Sequence, residues 1–211
     1  MKKYTVEFIG TFFLVMGAAL GGAIGASLAL MVMIYAGGHI SGAHYNPAVT
    51  LAVMIRGKAT MSEAVAYWIA QILGAVAAAV LVAYLFEVKG PGECVVPDGG
   101  TMKAIVAEML GTFALAFVIL NVATTKGTSG NSFYGLAIGG TVLAMAIVLG
   151  KFSGGAFNPA VAIGLNIQGS FCWSQLWIYL VGCFGGGAIA AIVFNYINVD
   201  DVTAPPIPKA E

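Results

Sequence analysis

The chain has 211 residues, of which 60% are hydrophobic and only 9% are charged, whereas soluble domains average about 45–50% apolar and about 25% charged residues. These values exclude an ordinary soluble enzyme or binding domain and predict an all-α integral membrane protein. The nine basic and nine acidic residues cancel, so the net charge gives no indication of a nucleic acid partner.

The first half of the chain contains three apolar segments, each near the roughly 20 residues that a spanning helix needs. A tight turn at Gly21 and Gly22 separates the first two segments. A cleaved signal peptide is disfavoured because Glu7 interrupts the first of them. We predict spanning helices over residues 4–20, 23–36 and 62–86, the third capped by Ser62.

The second half has the same order of segments. A connection rich in proline and glycine, residues 87–101, is the longest in the chain and is predicted to be a surface loop. We predict three further spanning helices and a flexible, proline-rich tail. The helices cover residues 102–121, 133–149 and 173–196, and the tail covers residues 197–211.

An Asn-Pro-Ala triplet occurs once in each half, as Asn46-Pro47-Ala48 and as Asn158-Pro159-Ala160. Asparagine is a favoured helix N-cap and proline a favoured first helical residue, so each triplet predicts the start of a helix. The apolar segments that follow, residues 48–55 and 160–167, are too short to cross a bilayer. We therefore predict two re-entrant half-helices.

The two halves form an internal repeat. Glu7-Phe8-Ile9-Gly10-Thr11-Phe12 matches Glu108-Met109-Leu110-Gly111-Thr112-Phe113, the triplets match each other, and Trp68…Gly74 parallels Trp177…Gly182. Because each half has three spanning helices, the second copy must be inserted upside down relative to the first. We predict one channel domain over residues 1–211, with inverted repeats over about 1–86 and 102–196.

Basic residues predict that both termini are cytoplasmic, since lysine and arginine are enriched in cytoplasmic loops. The compact length and short first helices suggest a microbial inner (plasma) membrane. In this orientation Lys2, Lys3, Arg56, Lys58, Lys126 and Lys209 lie inside, and Lys89, Lys103 and Lys151 lie outside.

The inverted repeat brings the N-termini of the two half-helices together near the membrane midplane, where non-helical backbone is tolerated only if it is buried or lines a wet cavity. We therefore predict a pore along the segments that lead into the triplets. Asn46 and Asn158 supply amide donors beside it, and the two helix dipoles disfavour cations there. The predicted pore-lining carbonyls are those of Ala43, His44, Tyr45, Gly154, Gly155 and Ala156.

With these motifs the chain resembles the aquaporin and aquaglyceroporin family (major intrinsic proteins) over nearly its whole length. The resemblance rests on the two Glu-x-x-Gly-Thr-Phe segments and on the stretches 39–50 and 153–160. It implies six spanning helices with two half-helices, a homotetramer with one pore per subunit, and passive passage of water or small uncharged solutes. It places Asn46 and Asn158 at the central constriction. Family glutamates matching Glu7 and Glu108 anchor the re-entrant loops; a proton relay is the alternative.

The outer selectivity filter departs from the family pattern. Family members usually have an arginine three residues after the second loop's asparagine, and here that residue is Val161. Its partners, by ungapped offset from the asparagines, are Ala26, Ala146 and Gly155. Loss of the arginine should widen the filter and remove part of the barrier to cations, so we predict passage of glycerol, urea, ammonia, dissolved gas or a neutral metalloid acid beside water. Lys151 is either a solvated lysine or a partial substitute for the missing charge.

The remaining candidate residues are histidines and cysteines. His39 and His44 are predicted to be hydrogen-bonded scaffold rather than metal ligands or pH sensors. Cys94 and Cys172 are both expected outside, where a disulfide could join them, and Cys183 is expected only to pack. No catalytic residues, metal site or cofactor is predicted. The alternatives to a channel are an ion-coupled secondary transporter with broken helices and a structural membrane protein with a vestigial pore.

Overall fold

The computed structural model describes residues 1–87 and 99–203, and within these ranges the chain is helical and has no β-strand. The first helical segment, Lys2–Ser41, is divided at Gly22 into α1 (residues 2–21) and α2 (residues 23–41). The later helices are α3 (Pro47–Ile55), α4 (Met61–Phe86), α5 (Thr101–Thr124), α6 (Tyr134–Ser153), α7 (Pro159–Gln168), α8 (Leu176–Ile197) and the short α9 (Val199–Thr203).

The tight turn predicted at Gly21 and Gly22 is confirmed. Gly22 has φ 54° and ψ −140°, a conformation that side chains disfavour. On either side of the turn, α1 and α2 pack closely against each other. At Gly17 even a methyl group would lie only 2.6 Å from the Gly25 carbonyl oxygen. The α2 helix continues to Ser41, five residues beyond the predicted end, and stops where Gly42 adopts a left-handed conformation with φ 84°.

Among residues 1–87 and 99–203, five helical segments are long and apolar enough to cross a membrane by length and composition. The first of them has 40 residues, which as a straight helix would measure about 60 Å, twice the roughly 30 Å of a bilayer core. Because Gly22 folds this segment back on itself, it makes two crossings. The protein is therefore an integral membrane protein with six spanning helices and two half-helices.

The half-helices are exchanged between the repeats. In the first half α1 packs on α4, and in the second half α5 packs on α8. The half-helix α3 packs mainly on α8, whereas α7 packs on α4. Each half-helix is therefore held by a long helix of the opposite repeat, which places both half-helix N-termini at the centre of the bundle.

The repeat register differs from the predicted one in the last helix of each half. Gly74 approaches the backbone of Phe8 and Phe12, and Gly186 approaches the equivalent residues Met109 and Phe113. Gly186, and not Gly182, is therefore the counterpart of Gly74. Gly74 and Gly186 are the same number of sequence positions apart as Asn46 and Asn158. The two halves therefore align without a gap from the half-helices through the helices that follow.

Gly74→Ala and Gly186→Ala are each expected to destabilise the fold by about 1–3 kcal/mol, the usual cost of overpacking. The added methyl would overlap the carbonyl oxygen of Phe8 in one variant and of Met109 in the other. Thermal unfolding in detergent measures the effect. Gly140→Ala is the matched control, because a methyl group there meets no atom within 4 Å; equal melting of all three variants would contradict the prediction.

Two local predictions are corrected by the structure. Thr60, rather than Ser62, caps α4: its hydroxyl accepts a hydrogen bond from the Glu63 amide (3.2 Å), and the Glu63 carboxylate accepts one from the Thr60 amide (3.1 Å). This capping box needs the glutamate three positions after the cap, which only Thr60 satisfies. The predicted flexible tail begins instead with α9, where the Asp201 carbonyl accepts a hydrogen bond from Arg56 Nη2 (3.2 Å). Lys89, Cys94, Lys209 and residues 204–211 lie outside the described residues.

Candidate pore

Both Asn-Pro-Ala triplets begin half-helices in the same geometry. Asn46 and Asn158 are N-caps in extended conformation, with φ −155° and −160°, and a proline follows each as the first helical residue. The Asn46 side-chain oxygen accepts hydrogen bonds from the amides of Ala48 (2.9 Å) and Val49 (3.4 Å). Asn158 repeats these two bonds at the same distances. The predicted helix starts are therefore confirmed.

The two asparagines also connect the half-helices to each other. Asn46 Nδ2 donates to the Phe157 carbonyl, and Asn158 Nδ2 donates to the Tyr45 carbonyl, both at 2.9 Å. A side-chain amide nitrogen has two N–H donors, so each asparagine keeps one donor beyond this reciprocal pair of bonds. Both asparagines line the same cavity, into which the remaining donors can point.

Glu7 holds the first re-entrant loop from within the bundle, where its side chain is fully buried. Its carboxylate accepts hydrogen bonds from the amides of His44 (3.0 Å) and Tyr45 (2.7 Å). It also accepts bonds from Ser41 Oγ (2.7 Å) and Gln71 Nε2 (2.8 Å). Because Tyr45 has a positive φ of 49°, which is costly for a non-glycine residue, these bonds compensate for a strained backbone.

Glu108 makes the equivalent contacts with the second loop. It accepts hydrogen bonds from the amides of Ala156 (3.0 Å) and Phe157 (2.7 Å) and from Ser153 Oγ (2.6 Å). The fourth donor is Cys183 Sγ (3.4 Å), which takes the place of Gln71 in the first half. Cys183 is thus a hydrogen-bond donor to Glu108, whereas the sequence predicted packing alone.

Glycine three residues after each glutamate gives room for the loop's aromatic side chain. A methyl group on Gly10 would overlap the ring of Tyr45, and one on Gly111 would overlap the ring of Phe157. The repeated Glu-x-x-Gly pattern therefore has two roles one helical turn apart. The glutamate binds the loop backbone, and the glycine accepts the ring that precedes the asparagine.

A cavity of about 270 Å³ runs through the bundle along both loops. The end beside the Gly22 turn is called the outer end here, and the end beside the chain termini the inner end. The cavity brings together both asparagines and all four predicted filter residues, and no charged residue is among the described residues that line it. The lining includes Ala18, Gly22, Ala23, Ala26, Ile34, Ala43, His44, Asn46, Val49, Ile119, Ile138, Ala146, Gly154, Gly155, Ala156, Asn158 and Val161.

A second, wider cavity of about 840 Å³ lies at the inner end. Its walls include apolar residues and, unlike those of the narrow cavity, the charged residues Arg56, Lys58, Lys126 and Asp201. The Asp201 carboxylate accepts bonds from the Lys126 amide (3.3 Å), so α9 contacts the loop at the rim of this cavity. The wider cavity forms an entrance to the narrower one.

Some predicted residues lie elsewhere than expected. Tyr45 does not line the cavity, and its carbonyl accepts the Asn158 bond instead. His44 is hydrogen bonded to Thr50 Oγ1 (3.1 Å) as predicted, but His39 is exposed at the inner cavity. Lys151 is exposed and stacks over the ring of the adjacent Phe152, 4.9 Å from its centroid, outside the cavity lining.

One of the described cysteines is disulfide-bonded. Cys172 is buried and disulfide-bonded, whereas its predicted partner Cys94 lies outside the described residues. Across residues 1–87 and 99–203, no group of three or more histidine, cysteine, aspartate or glutamate side chains is arranged to hold a metal ion.

Several functional residues were missed by sequence reasoning. Tyr67 and Tyr179 donate their hydroxyls to the carbonyls of Ser41 (2.7 Å) and Ser153 (2.6 Å), at the ends of α2 and α6. Gln71 was not singled out either. Tyr67 and Tyr179 are the same number of sequence positions apart as the two asparagines. An ungapped alignment of the two halves therefore pairs these tyrosines.

Six spanning helices, two half-helices that meet at their N-termini and a cavity between them define a membrane channel of the inverted-repeat class. The sequence profile described as "Major intrinsic protein" matches residues 1–194. The chain therefore belongs to the major intrinsic protein family, and it is a passive channel for water or small solutes rather than an enzyme.

Relatives from plants and bacteria agree with this assignment. The chain is 37% identical to Aquaporin NIP1-4 of Oryza sativa subsp. japonica, over 94% of this chain and 78% of the relative. It is also 37% identical to Glycerol uptake facilitator protein-like 6 of Lactiplantibacillus plantarum, over 95% of this chain and 100% of the relative. The fold matches the X-ray structure of the aquaglyceroporin from Plasmodium falciparum with a TM-score of 0.81 at 23% identity, over 95% of this chain and 98% of that chain.

Proposed function

We propose that this channel conducts small uncharged solutes as well as water through a pore within each subunit. The cargo class includes glycerol, urea, ammonia, dissolved gas and similar molecules. Asn46 and Asn158 form the central constriction, and Ala26, Ala146, Gly155 and Val161 form the outer filter. The similarity to a bacterial glycerol uptake facilitator supports a cargo beyond water.

The observation that carries this proposal is the composition of the outer filter. All four filter residues line one cavity, and none of them is larger than valine. An arginine in place of Val161 would supply five N–H donors and a fixed charge. Without it, the filter neither narrows the cavity with a long side chain nor binds water through charged donors, and a solute with several carbons can enter.

Passage of cations is opposed at the centre of the pore. The two half-helix N-termini each carry about half a positive charge, and the free asparagine donors favour an oxygen acceptor over a cation. The apolar walls, including Leu14, Leu30 and Leu115, offer a charged solute no replacement for its hydration shell. Neutral molecules with hydrogen-bonding oxygen or nitrogen atoms are therefore the favoured cargo.

The buried glutamates act as anchors of the re-entrant loops rather than as proton carriers in this proposal. Four donors occupy each carboxylate, and neither Glu7 nor Glu108 is among the described residues that line the cavity. The solute would then move along backbone carbonyl acceptors of the two loops. Those in lining residues belong to Ala43, His44, Gly154, Gly155 and Ala156.

Assembly and orientation are part of the same proposal. The spanning helices expose many large apolar side chains, such as Ile147, Leu136 and Ile192, which suits contact with lipid or with further copies in a homotetramer. Cross-linking in native membranes tests the tetramer. The excess of basic residues at the inner end supports cytoplasmic termini. A microbial plasma membrane stays a prediction, since similar chains occur in plants as well as in a bacterium.

Stopped-flow light scattering on proteoliposomes tests the function. Vesicles are exposed to gradients of sucrose, glycerol and urea, and the expected result is faster shrinkage and faster solute re-entry than in protein-free vesicles. Linear dependence of flux on solute concentration distinguishes the channel from a transporter. Saturable flux that requires an ion gradient would instead establish a secondary transporter, and shrinkage no faster than in protein-free vesicles would favour a structural protein.

A further inference from the structure

The narrow cavity and the inner cavity meet at a ring of four residues that line both: Ile34, Ala43, Ile119 and Ile138. This set is called the inner ring below. The narrow cavity extends from Gly22 at the outer end, past the outer filter and both asparagines, as one continuous space. The inner ring is therefore the boundary between the two cavities.

The repeat shows how the inner ring is related to the outer filter. Ala26 and Ile138 are the same number of sequence positions apart as Asn46 and Asn158, and so are Ile34 and Ala146. Ala43 corresponds to Gly155 in the same way. Three members of the inner ring, Ile138, Ile34 and Ala43, therefore mirror Ala26, Ala146 and Gly155 of the outer filter across the membrane midplane.

The fourth member of the ring, Ile119 in α5, has its counterpart in α1, where the repeat is related by the separation of the two glutamates rather than that of the asparagines. The separation between Glu7 and Glu108 joins Ala18 to Ile119, and Ala18 lines the outer part of the narrow cavity. Three alanines in the outer half thus face three isoleucines in the inner half. Each isoleucine side chain has three more carbon atoms than alanine, so the side chains of a nearly symmetric pore are bulkier at the inner end.

We propose that the inner ring, rather than the outer filter, sets the largest solute that this channel passes. This inference rests on the proposed function, because it names the part of the same pore that determines its specificity. The outer filter then admits solutes that the inner ring sorts by width.

The inner ring is suited to this role because its side chains are held rigidly. Ile34 and Ile138 are 3% exposed and Ile119 is 8% exposed, and they come from three different helices, α2, α6 and α5. In a helix about 90% of isoleucine side chains adopt one χ1 rotamer, so a solute cannot displace them by a low-cost rotation. The ring has no polar side chain, so a polyol forms few hydrogen bonds while it passes. A longer polyol has more hydroxyl groups and therefore loses more hydrogen bonds to water at the ring.

The test measures flux of water, glycerol and the longer polyols erythritol and xylitol into proteoliposomes. In Ile34→Ala/Ile138→Ala the ratio of xylitol to glycerol flux is expected to rise about tenfold, which corresponds to a barrier lowered by about 1.4 kcal/mol. Ile34→Val, which removes one methyl group and is less disruptive to folding, should shift the ratio in the same direction by a smaller factor. Ile178→Ala is the matched control, since Ile178 is 2% exposed but does not line either cavity.

The reciprocal variant separates the two ends of the pore. Ala26→Ile/Ala146→Ile gives the outer filter the side chains of the inner ring. If the inner ring limits passage, this change lowers xylitol flux only modestly; if the outer filter limits passage, it lowers that flux sharply and Ile34→Ala/Ile138→Ala leaves the ratio unchanged. The second pattern overturns the inference while leaving the proposed function intact. A wild-type protein that conducts no solute faster than protein-free vesicles would refute the proposed function itself.

Discussion

Val161→Arg is expected to reduce glycerol and urea flux about tenfold, equivalent to a barrier raised by about 1.4 kcal/mol, with a much smaller loss of water flux. Val161 lines the narrow cavity together with the other filter residues Ala26, Ala146 and Gly155, which are no larger than alanine, so a long side chain has room to extend into the filter. Its guanidinium would bind water while it blocks wider solutes and repels cations. Stopped-flow light scattering with sucrose, glycerol and urea gradients measures the three rates.

The control for this substitution is Val161→Met, which adds length without charge or hydrogen-bond donors. If Val161→Met lowers glycerol and urea flux as strongly as Val161→Arg does, the size of the side chain alone explains the change in selectivity. If arginine lowers water and glycerol flux equally, the variant is merely obstructed. An unchanged solute profile in Val161→Arg would show that this position does not influence selectivity.

Glu7→Gln and Glu108→Gln are each expected to destabilise the protein by about 2–4 kcal/mol, because buried donors that lose an acceptor cost about 1–3 kcal/mol each. Glutamine offers an NH₂ group where the carboxylate had accepted a hydrogen bond from the Tyr45 amide in one variant and from the Phe157 amide in the other. The loop then loses the contact that holds its positive-φ residue. Thermal unfolding in detergent and solute flux per folded protein provide the measurements.

Glu87→Gln makes the same chemical change at an exposed site at the end of α4, and its melting temperature should match the wild type. The two buried variants should behave alike, since the repeat gives Glu7 and Glu108 the same backbone partners. Wild-type melting and wild-type flux in Glu7→Gln would disprove the anchoring role. Normal melting with altered proton leakage would point instead to a proton relay.

The half-helices could be predicted from sequence because a local rule specifies them. Asparagine at the N-cap followed by proline predicts a helix start without reference to the rest of the chain, and the rule applies at both Asn46 and Asn158. The turn at Gly22 was found for the same reason. Local rules are less reliable where two similar residues compete: Thr60 and Ser62 are both favoured N-cap types, and only Thr60 caps α4.

Contacts between distant residues could not be derived in this way. Glu7 and Tyr45 are 38 positions apart, and only the family resemblance indicated that this glutamate supports the loop. The inner ring was missed because membrane helices are apolar on all faces. In such helices Ile34 and Ile138 look like lipid-facing isoleucines, and hydrophobic periodicity does not distinguish a pore wall from a lipid contact.

The reciprocal bonds between the asparagines and the opposite loops have a consequence for biosynthesis. The acceptor for Asn46 Nδ2 lies 111 positions later in the chain, which at about 5–20 residues per second takes the ribosome roughly ten seconds to reach. During that interval the first half-helix has neither its acceptor nor α8 to pack on. The first re-entrant loop therefore lacks these contacts until the second repeat has been synthesised. The centre of the pore is completed only after the second repeat has been inserted.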